Sequence, residues 1–354
     1  MAFNVAEQET GAGLAGSAYP AAATEPAGQA ARALSGRFET GRKVLIRFLP
    51  VLAAAGTLSV HLYVPNEQTF AINEEYRKVL AVLLALNVVF FGVSLVPSKL
   101  KDWLGENAPL VAAALSLLAI WDLITLKLGL LPLPYFPGPD KVLGALLEDW
   151  KLIGTSAFYS LRLLFTGYLF GAAAGLVTGT LMGWSKRWHY WVSPVMKGIG
   201  PVPATAWIPL AMVIFPTSFQ ASSFLVALAV WFPVTVMTGS GIANVRNAFF
   251  EVARTLGANE RYLIFRVAIP AAFPTIFVGL FMGLGASFLV LIVAEMIGVK
   301  AGLGWYISWV QGWAEYAKVY ACLGVIALIF SSVIALLFKF RDRALVWQKG
   351  LIKW

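Results

Sequence analysis

Long apolar runs broken by short polar gaps set the first expectation for this chain. A helix needs about 20 apolar residues to cross a bilayer core. Runs that meet or approach that length lie at approximately 44–64, 79–97, 109–131, 157–183, 194–215, 221–241, 272–297 and 319–339. The pattern predicts an all-α polytopic membrane protein with about eight transmembrane helices. The fifth run differs from the rest because Pro194, Pro201, Pro203, Pro209 and Pro216 interrupt it. Each interior proline removes a backbone donor and kinks a helix. Irregular backbone at membrane depth is tolerated only inside protein or beside a cavity. A kinked structural helix and a pore-lining or coupling element both fit the segment PVPATAWIP, and Pro203 and Trp207 are its candidates for a substrate path.

The gaps give the orientation. Arg37, Arg42, Lys43 and Arg47 precede the first run, Lys99 and Lys101 follow the second, and Lys186 and Arg187 follow the fourth. An arginine-rich island follows the sixth, and Lys339, Arg341 and Arg343 follow the eighth. The alternate gaps are acidic or mixed: Glu67, Glu74, Glu75, Arg77 and Lys78; Asp140, Lys141, Glu148, Asp149 and Lys151; Lys300, Glu315 and Lys318. Basic loops stay on the cytoplasmic side, so both termini and the arginine-rich island are expected inside the cell.

Composition agrees. Hydrophobic residues make up 59% and charged residues 13% of 354 positions, with a mean hydropathy of +0.75, against roughly 25% charged in a soluble protein. In this setting the net charge of +9 reads as cytoplasmic loops rather than nucleic-acid binding. The single cysteine, Cys322, excludes an intrachain disulfide, and His61 and His189 are too isolated for a metal site. Residues 1–31 are Ala/Gly-rich without an apolar h-region, which predicts a disordered cytoplasmic tail, extending to about residue 43, rather than a signal peptide. The tail holds GAGLAG (Gly11–Gly16), a match to the dinucleotide-binding spacing. With no strand before it and no amphipathic helix after it, chance is the reading.

Two features lie within the runs. The fourth carries Gly167, Gly171, Gly175, Gly179 and Gly183, one every four residues. This stripe lets a neighbouring backbone approach closely and suits helices that pack tightly and slide or rock. Ionisable residues at membrane depth default to functional hypotheses. Asp122 has Lys127 little more than a turn away and reads as its structural partner. Glu295 opens AEMIGVKAGLGW and is open to two readings, capping or packing, or a place on the substrate path.

The island Glu251–Pro270, EVARTLGANERYLIFRVAIP, reads as two short helices and a joint. Asn247 can cap the first helix, and Gly257 suits a left-handed stop. Asn259 can cap the second, in which Tyr262, Leu263, Phe265, Arg266 and Ile269 alternate apolar and basic, and Pro270 closes the unit. G-x4-G-K-[ST], H-E-x-x-H and G-x-S-x-G are all missing, so a Walker A ATPase is excluded and an enzyme reading is weak.

Glu251-Val-Ala253, three residues, Gly257, nine residues and Val267-Ala-Ile269-Pro270 resemble the EAA loop of bacterial ABC importer permeases, E-A-A-x3-G-x9-I-x-L-P. Val252, Val267 and Ile269 depart from the pattern but keep its apolar character. PVPATAWIPLAMVIF, AEMIGVKAGLGWYI and LPYFPGPDKVLGAL (Leu133–Leu146, after Pro132) resemble segments of the nitrate/sulfonate/taurine subfamily of these inner-membrane permeases. The resemblance covers roughly residues 111–340. It implies a type I importer transmembrane-domain fold with two additional N-terminal helices, over residues 44–104, before a six-helix core at 105–354.

The resemblance also implies a role. The chain would be the permease subunit of a binding-protein-dependent importer in the bacterial inner membrane, a homodimer served by two ATP-binding subunits and an extracytoplasmic solute-binding protein. ATP and magnesium would sit on the partner, and this chain would carry no cofactor. The coupling loop, residues 244–270, would dock on the ATPase through Glu251, Ala253, Arg254, Leu256, Gly257, Ile269 and Pro270. Small oxyanions such as sulfonates, nitrate or taurine are the implied substrates, although the family also admits uncharged ring compounds. An ion-driven secondary transporter is the alternative, but that class places ionisable pairs at the midplane, and this chain offers a weak set.

Overall fold

The computed structural model describes residues 25–67, 74–95, 99–131 and 133–346, with side chains from residue 41 onward except those of 99 and 100. The expected tail up to residue 24, with its GAGLAG, and Pro132 lie outside the described residues. Every regular element among the described residues is helical. The chain divides into two compact units, Met1–Leu62 with Leu80–Ala119, and Tyr63–Val79 with Ile120–Trp354. The boundary expected at 104/105 therefore falls within a helix.

The first unit takes most of α1 (Glu25–Tyr63), α2 (Glu74–Ser94) and α3 (Lys99–Asp122). Helix α1 is already formed at Glu25, the first described residue, inside the segment expected to be a disordered tail. Phe48 meets Phe91 edge-on at 5.1 Å, and the Thr57 hydroxyl donates to the Leu115 carbonyl at 3.0 Å. Around these contacts most of the α2 surface is apolar and exposed, Val82, Val89 and Phe90 included. Such a surface is stable against lipid and not against water.

In the second unit, α3 ends in a π turn, Leu123–Lys127. Lys127, expected to pair with Asp122, donates to the Val64 carbonyl at 2.6 Å and the Asn66 side chain at 2.8 Å. The buried carboxyl groups of Asp122 and Asp140 act on the same ammonium. Buried charges survive only when partnered in this way, so the cluster ties residues 63–67 to the start of α4 (Pro139–Glu148). The remaining elements are α5 (Trp150–Trp184), α6 (Lys186–Ile199), a 3₁₀ turn at Ala204–Trp207, α7 (Ile208–Ile214), α8 (Ser218–Ala243), α9 (Asn247–Thr255), α10 (Glu260–Tyr262), α11 (Ile269–Gly298), α12 (Leu303–Gly312) and α13 (Tyr316–Ala344).

Among the described residues, seven helices are long and apolar enough to cross a membrane. The expected fifth span is not one rod. It is a pair, Lys186–Ile199 and Ala204–Ile214, bent by 86°. Pro201 and Pro203 lie in the break, where neither can supply a backbone donor to continue α6. Counted as one span, the pair makes eight. Helix α6 exposes Trp188, Tyr190 and Trp191 beside Lys186 and Arg187, the residue types that settle at a membrane interface.

The core forms where α5, α7, α8 and α11 meet, around Leu163, Leu164, Ala211, Leu225, Val226 and Leu291. Helix α8 lies along both α5 and α11. All three are apolar around their circumference, as helices inside a membrane bundle are. Phe288 of α11 stacks on Phe330 of α13 at 3.8 Å and 7°.

Candidate functional site

The joint between α8 and α11 is built from backbone rules. Helix α9 ends in a Schellman motif: the Gly257 amide donates to the Arg254 carbonyl at 2.9 Å, and the Ala258 amide to the Ala253 carbonyl at 3.0 Å. Closing it requires the positive φ of Gly257, +83°, which glycine adopts without strain. Two residues on, the Asn259 side chain accepts from the Tyr262 amide at 2.9 Å and starts α10. Arg254 reaches across the joint to Glu260 at 3.4 Å, an exposed pair of little energetic weight. At the other end the sequence reading misplaces the cap. Arg246 holds that position without a side-chain bond, its guanidinium lying over Phe249 at 4.7 Å, and Asn247 is the first helical residue.

Pro270 does not close the unit. A π segment, Leu263–Ala268, runs from α10 into α11 without interruption. Its final bond, from the Ile269 amide to the Ile264 carbonyl, has the wider π register. That widening makes room for a ring that cannot donate and would otherwise meet the preceding turn.

One face of α9 is anchored and the other is bare. Phe250 meets Trp184 edge-on at 5.5 Å and joins Ile242, Ala268, Ala272 and Ile269 in a cluster beneath the joint. On the opposite face Phe249, Val252 and Leu256 are 44%, 61% and 83% exposed. Spaced three and four residues apart, they form one stripe. Glu251 and Arg254 are exposed beside it, and Ala253 is half-buried. Phe249 was missed in the sequence, although its spacing to Val252 and Leu256 is the helical signal itself.

A second feature is a cleft of about 330 Å³ lined by Pro203, Thr205, Leu228, Phe232, Gly285 and Leu289 among others. It borders the break after α6, with α8 and α11 as walls. Among the described residues that line it, Thr205 brings the one side-chain hydroxyl and none is charged. Pro203 is at the cleft. Trp207 is not, and packs instead, partly buried, against the core where α5, α7, α8 and α11 meet.

Glu295 is also away from the cleft. It is 1% exposed, and its Oε2 accepts from the Ser160 hydroxyl and the Gly304 amide, each at 2.9 Å. The Ser160 hydroxyl in turn accepts from the Leu303 amide at 2.8 Å. Together they satisfy the first amides of α12, where a carboxylate also suits the helix dipole. Gly302, at φ +137°, leaves the room this approach needs. Of the two readings of Glu295, the geometry is that of a cap.

Near α12, the Tyr306 hydroxyl donates to Asp149 at 2.8 Å. Lys318 contacts Glu315 at 3.1 Å, Asp149 at 3.3 Å and Glu148 at 3.7 Å. Burial, then the bond to Asp149, hold the Tyr306 phenol above its usual pKa, so it stays a donor. Ser160 and the Asp149 contacts of Tyr306 and Lys318 carry no sequence signal, because their partners lie far along the chain.

The glycine stripe of α5 faces α8. A Cβ built on Gly167, Gly175, Gly179 or Gly183 would lie 2.6–2.7 Å from a heavy atom of α8, and one on Gly171 would collide with the Ala227 carbonyl. The Thr178 hydroxyl, in the same interface, is 2.8 Å from that of Thr235 and accepts from the Trp231 indole at 3.0 Å.

Comparison with known proteins places this architecture. Residues 167–346 match the family described as binding-protein-dependent transport system inner membrane component. A probable ABC transporter permease of Brucella abortus (strain 2308) is 30% identical over 69% of this chain and 99% of its own. The putative aliphatic sulfonates transport permease SsuC of Bacillus subtilis (strain 168) is 32% identical over 60% of this chain and 78% of its own. The nitrate import permease NrtB of Synechococcus elongatus is 29% identical over 59% and 77%. Residues before 167, the first unit among them, lie outside the family match. The chain belongs to the binding-protein-dependent transport system inner membrane components, as a multi-pass ABC permease subunit with the type I importer transmembrane-domain fold.

Proposed function

We propose that the chain is the transmembrane subunit of an ATP-driven importer and that α9 and the Gly257 turn receive the thrust of a separate ATPase. The observation that carries this reading is the bare apolar stripe Phe249–Val252–Leu256. It is rimmed by Glu251 and Arg254 and anchored from behind by Phe250 on Trp184. An exposed apolar ridge with charges at its rim has the make-up of an interface core. On this reading ATP and magnesium are held by the partner, a solute-binding protein delivers substrate on the opposite face, and a second permease copy completes the pathway. Both termini and the α9 joint face the cytoplasm.

The relatives named for aliphatic sulfonates and for nitrate support a small oxyanion as the substrate class. The cleft at Pro203 adds no basic group to that argument, so selection rests largely with the binding protein.

The test is Gly257→Asp in the assembled complex. Aspartate is among the side chains that best tolerate a positive φ, and a Cβ at Gly257 meets nothing within 4 Å. The substitution therefore leaves the joint folded and puts a charge into the docking face. Substrate-stimulated ATPase activity is expected to disappear while membrane insertion persists; retained stimulation rejects the docking role. Ion-driven uptake by the purified chain without any ATPase would favour a secondary transporter instead.

A further inference from the structure

Between α5, α11 and α13 lies a groove of about 530 Å³, separate from both the α9 joint and the Pro203 cleft. Its walls are apolar: Leu164, Phe165 and Leu169 from α5, Leu284 from α11, and Leu336 and Phe340 from α13. Tyr168 also lines it, but its hydroxyl is spent on the Leu280 carbonyl at 2.9 Å, so the ring alone faces the groove. The charged lining is confined to one end, where Lys339 and Arg343 stand one helical turn apart. Both are exposed, and neither has an acidic partner among the described residues. Their neighbour Arg341 is differently placed, paired with Asp342 at 3.0 Å and lying over the Phe338 ring at 4.6 Å.

We infer that this groove holds an acyl chain of an anionic phospholipid whose phosphate rests on Lys339 and Arg343. The dimensions fit one leaflet. From Val333, the first α13 residue on the groove, to Arg343 the helix rises about 15 Å, half of a hydrocarbon core about 30 Å thick. The apolar walls therefore lie where chains are and the two cations where headgroups are. Basic pockets between membrane helices select anionic headgroups on this principle. Phe165, Leu169, Leu336 and Phe340 are 42%, 63%, 60% and 57% exposed, an apolar surface that a chain covers and water does not. A soluble anion would use the cations but has nothing to place against the walls.

The experiment is lipid retention by the purified permease after exchange into equimolar phosphatidylethanolamine and phosphatidylglycerol, read by native mass spectrometry. Wild type is expected to keep phosphatidylglycerol in preference. The double variant Lys339→Gln/Arg343→Gln is expected to lose roughly thirtyfold of that preference, at about a unit of binding energy per cation. Arg341→Gln, which removes the same kind of charge outside the groove, leaves the preference in place. Leu336→Trp fills the groove and expels the chain while both cations remain. Absence of the preference in wild type, its survival in the double variant, or an equal loss in Arg341→Gln each overturns the assignment. So does efficient disulfide formation between copies carrying Leu336→Cys, because the groove is then covered by protein.

Discussion

Ser160 and Glu295 are 135 positions apart, and their side chains meet at 2.9 Å to hold the first amides of α12 between them. Removing either leaves buried donors without acceptors, at about 1–3 kcal/mol each. Ser160→Ala orphans the Leu303 amide and is expected to cost about 1–3 kcal/mol. Glu295→Ala orphans the Gly304 amide and also empties a buried site, so it costs more. Glu295→Gln keeps an acceptor oxygen and is the mildest. Thermal unfolding in detergent should rank the loss for Glu295→Gln below that for Ser160→Ala, and Ser160→Ala below Glu295→Ala; a Glu295→Gln protein that melts with Glu295→Ala would show that charge rather than hydrogen bonding holds the contact.

The stripe on α5 allows a paired test on one helix. Alanine at Gly175 would press on Val234 and the Trp231 carbonyl, whereas alanine at Gly154 meets nothing within 4 Å. Gly175→Ala is expected to destabilise by about 1–3 kcal/mol through overpacking. Gly154→Ala gains up to about 1 kcal/mol of helix propensity. Melting temperatures moving in opposite directions would confirm the assignment, and equal shifts would refute it.

Lys318 is the shared cation of Asp149, Glu148 and Glu315, and its side chain is 14% exposed. Lys318→Met leaves Asp149, among the described side chains, with the Tyr306 hydroxyl alone. A loss of about 3 kcal/mol is expected, as for a broken buried pair. Glu148→Gln removes a partner that is 69% exposed and should cost less than about 1 kcal/mol. Denaturation of the two variants side by side checks the contrast.

Orientation is open to direct labelling, since Cys322 is buried and silent. Leu256→Cys should react with an impermeant maleimide only in inverted vesicles, and Glu148→Cys only from the outer face of intact spheroplasts. The reverse pattern would invert the topology.

Much of this molecule was legible before its structure. The apolar runs locate the membrane helices because the bilayer fixes their length, and Gly257 and Asn259 announce a turn and a cap because few residues satisfy those backbone demands. Fragments joined across the chain were not legible. Nothing near Lys127 in sequence points to Val64 or Asn66, and nothing near Glu295 points to Ser160. Pro270 misled for a related reason: a proline reads as a stop only if the helix before it keeps its ordinary register, and the segment Leu263–Ala268 does not. The prolines of the fifth run gave a correct warning of a break without its angle.

The meshing of α5 with α8 constrains how this permease can move. Val226, Val230, Val234, Thr238 and Ile242 occupy the notches at Gly167, Gly171, Gly175, Gly179 and Gly183, one every four residues. A partial slip of one helix along the other would drive these branched side chains into helix backbone. The pair therefore has discrete settings about 6 Å apart, the rise of four residues, like the teeth of a rack, and no smooth travel between them. Any rearrangement smaller than a full tooth must carry α5 and α8 as one body, so the compliant parts of the transport cycle are to be sought at their ends: the bend after α6 and the π segment that feeds α11.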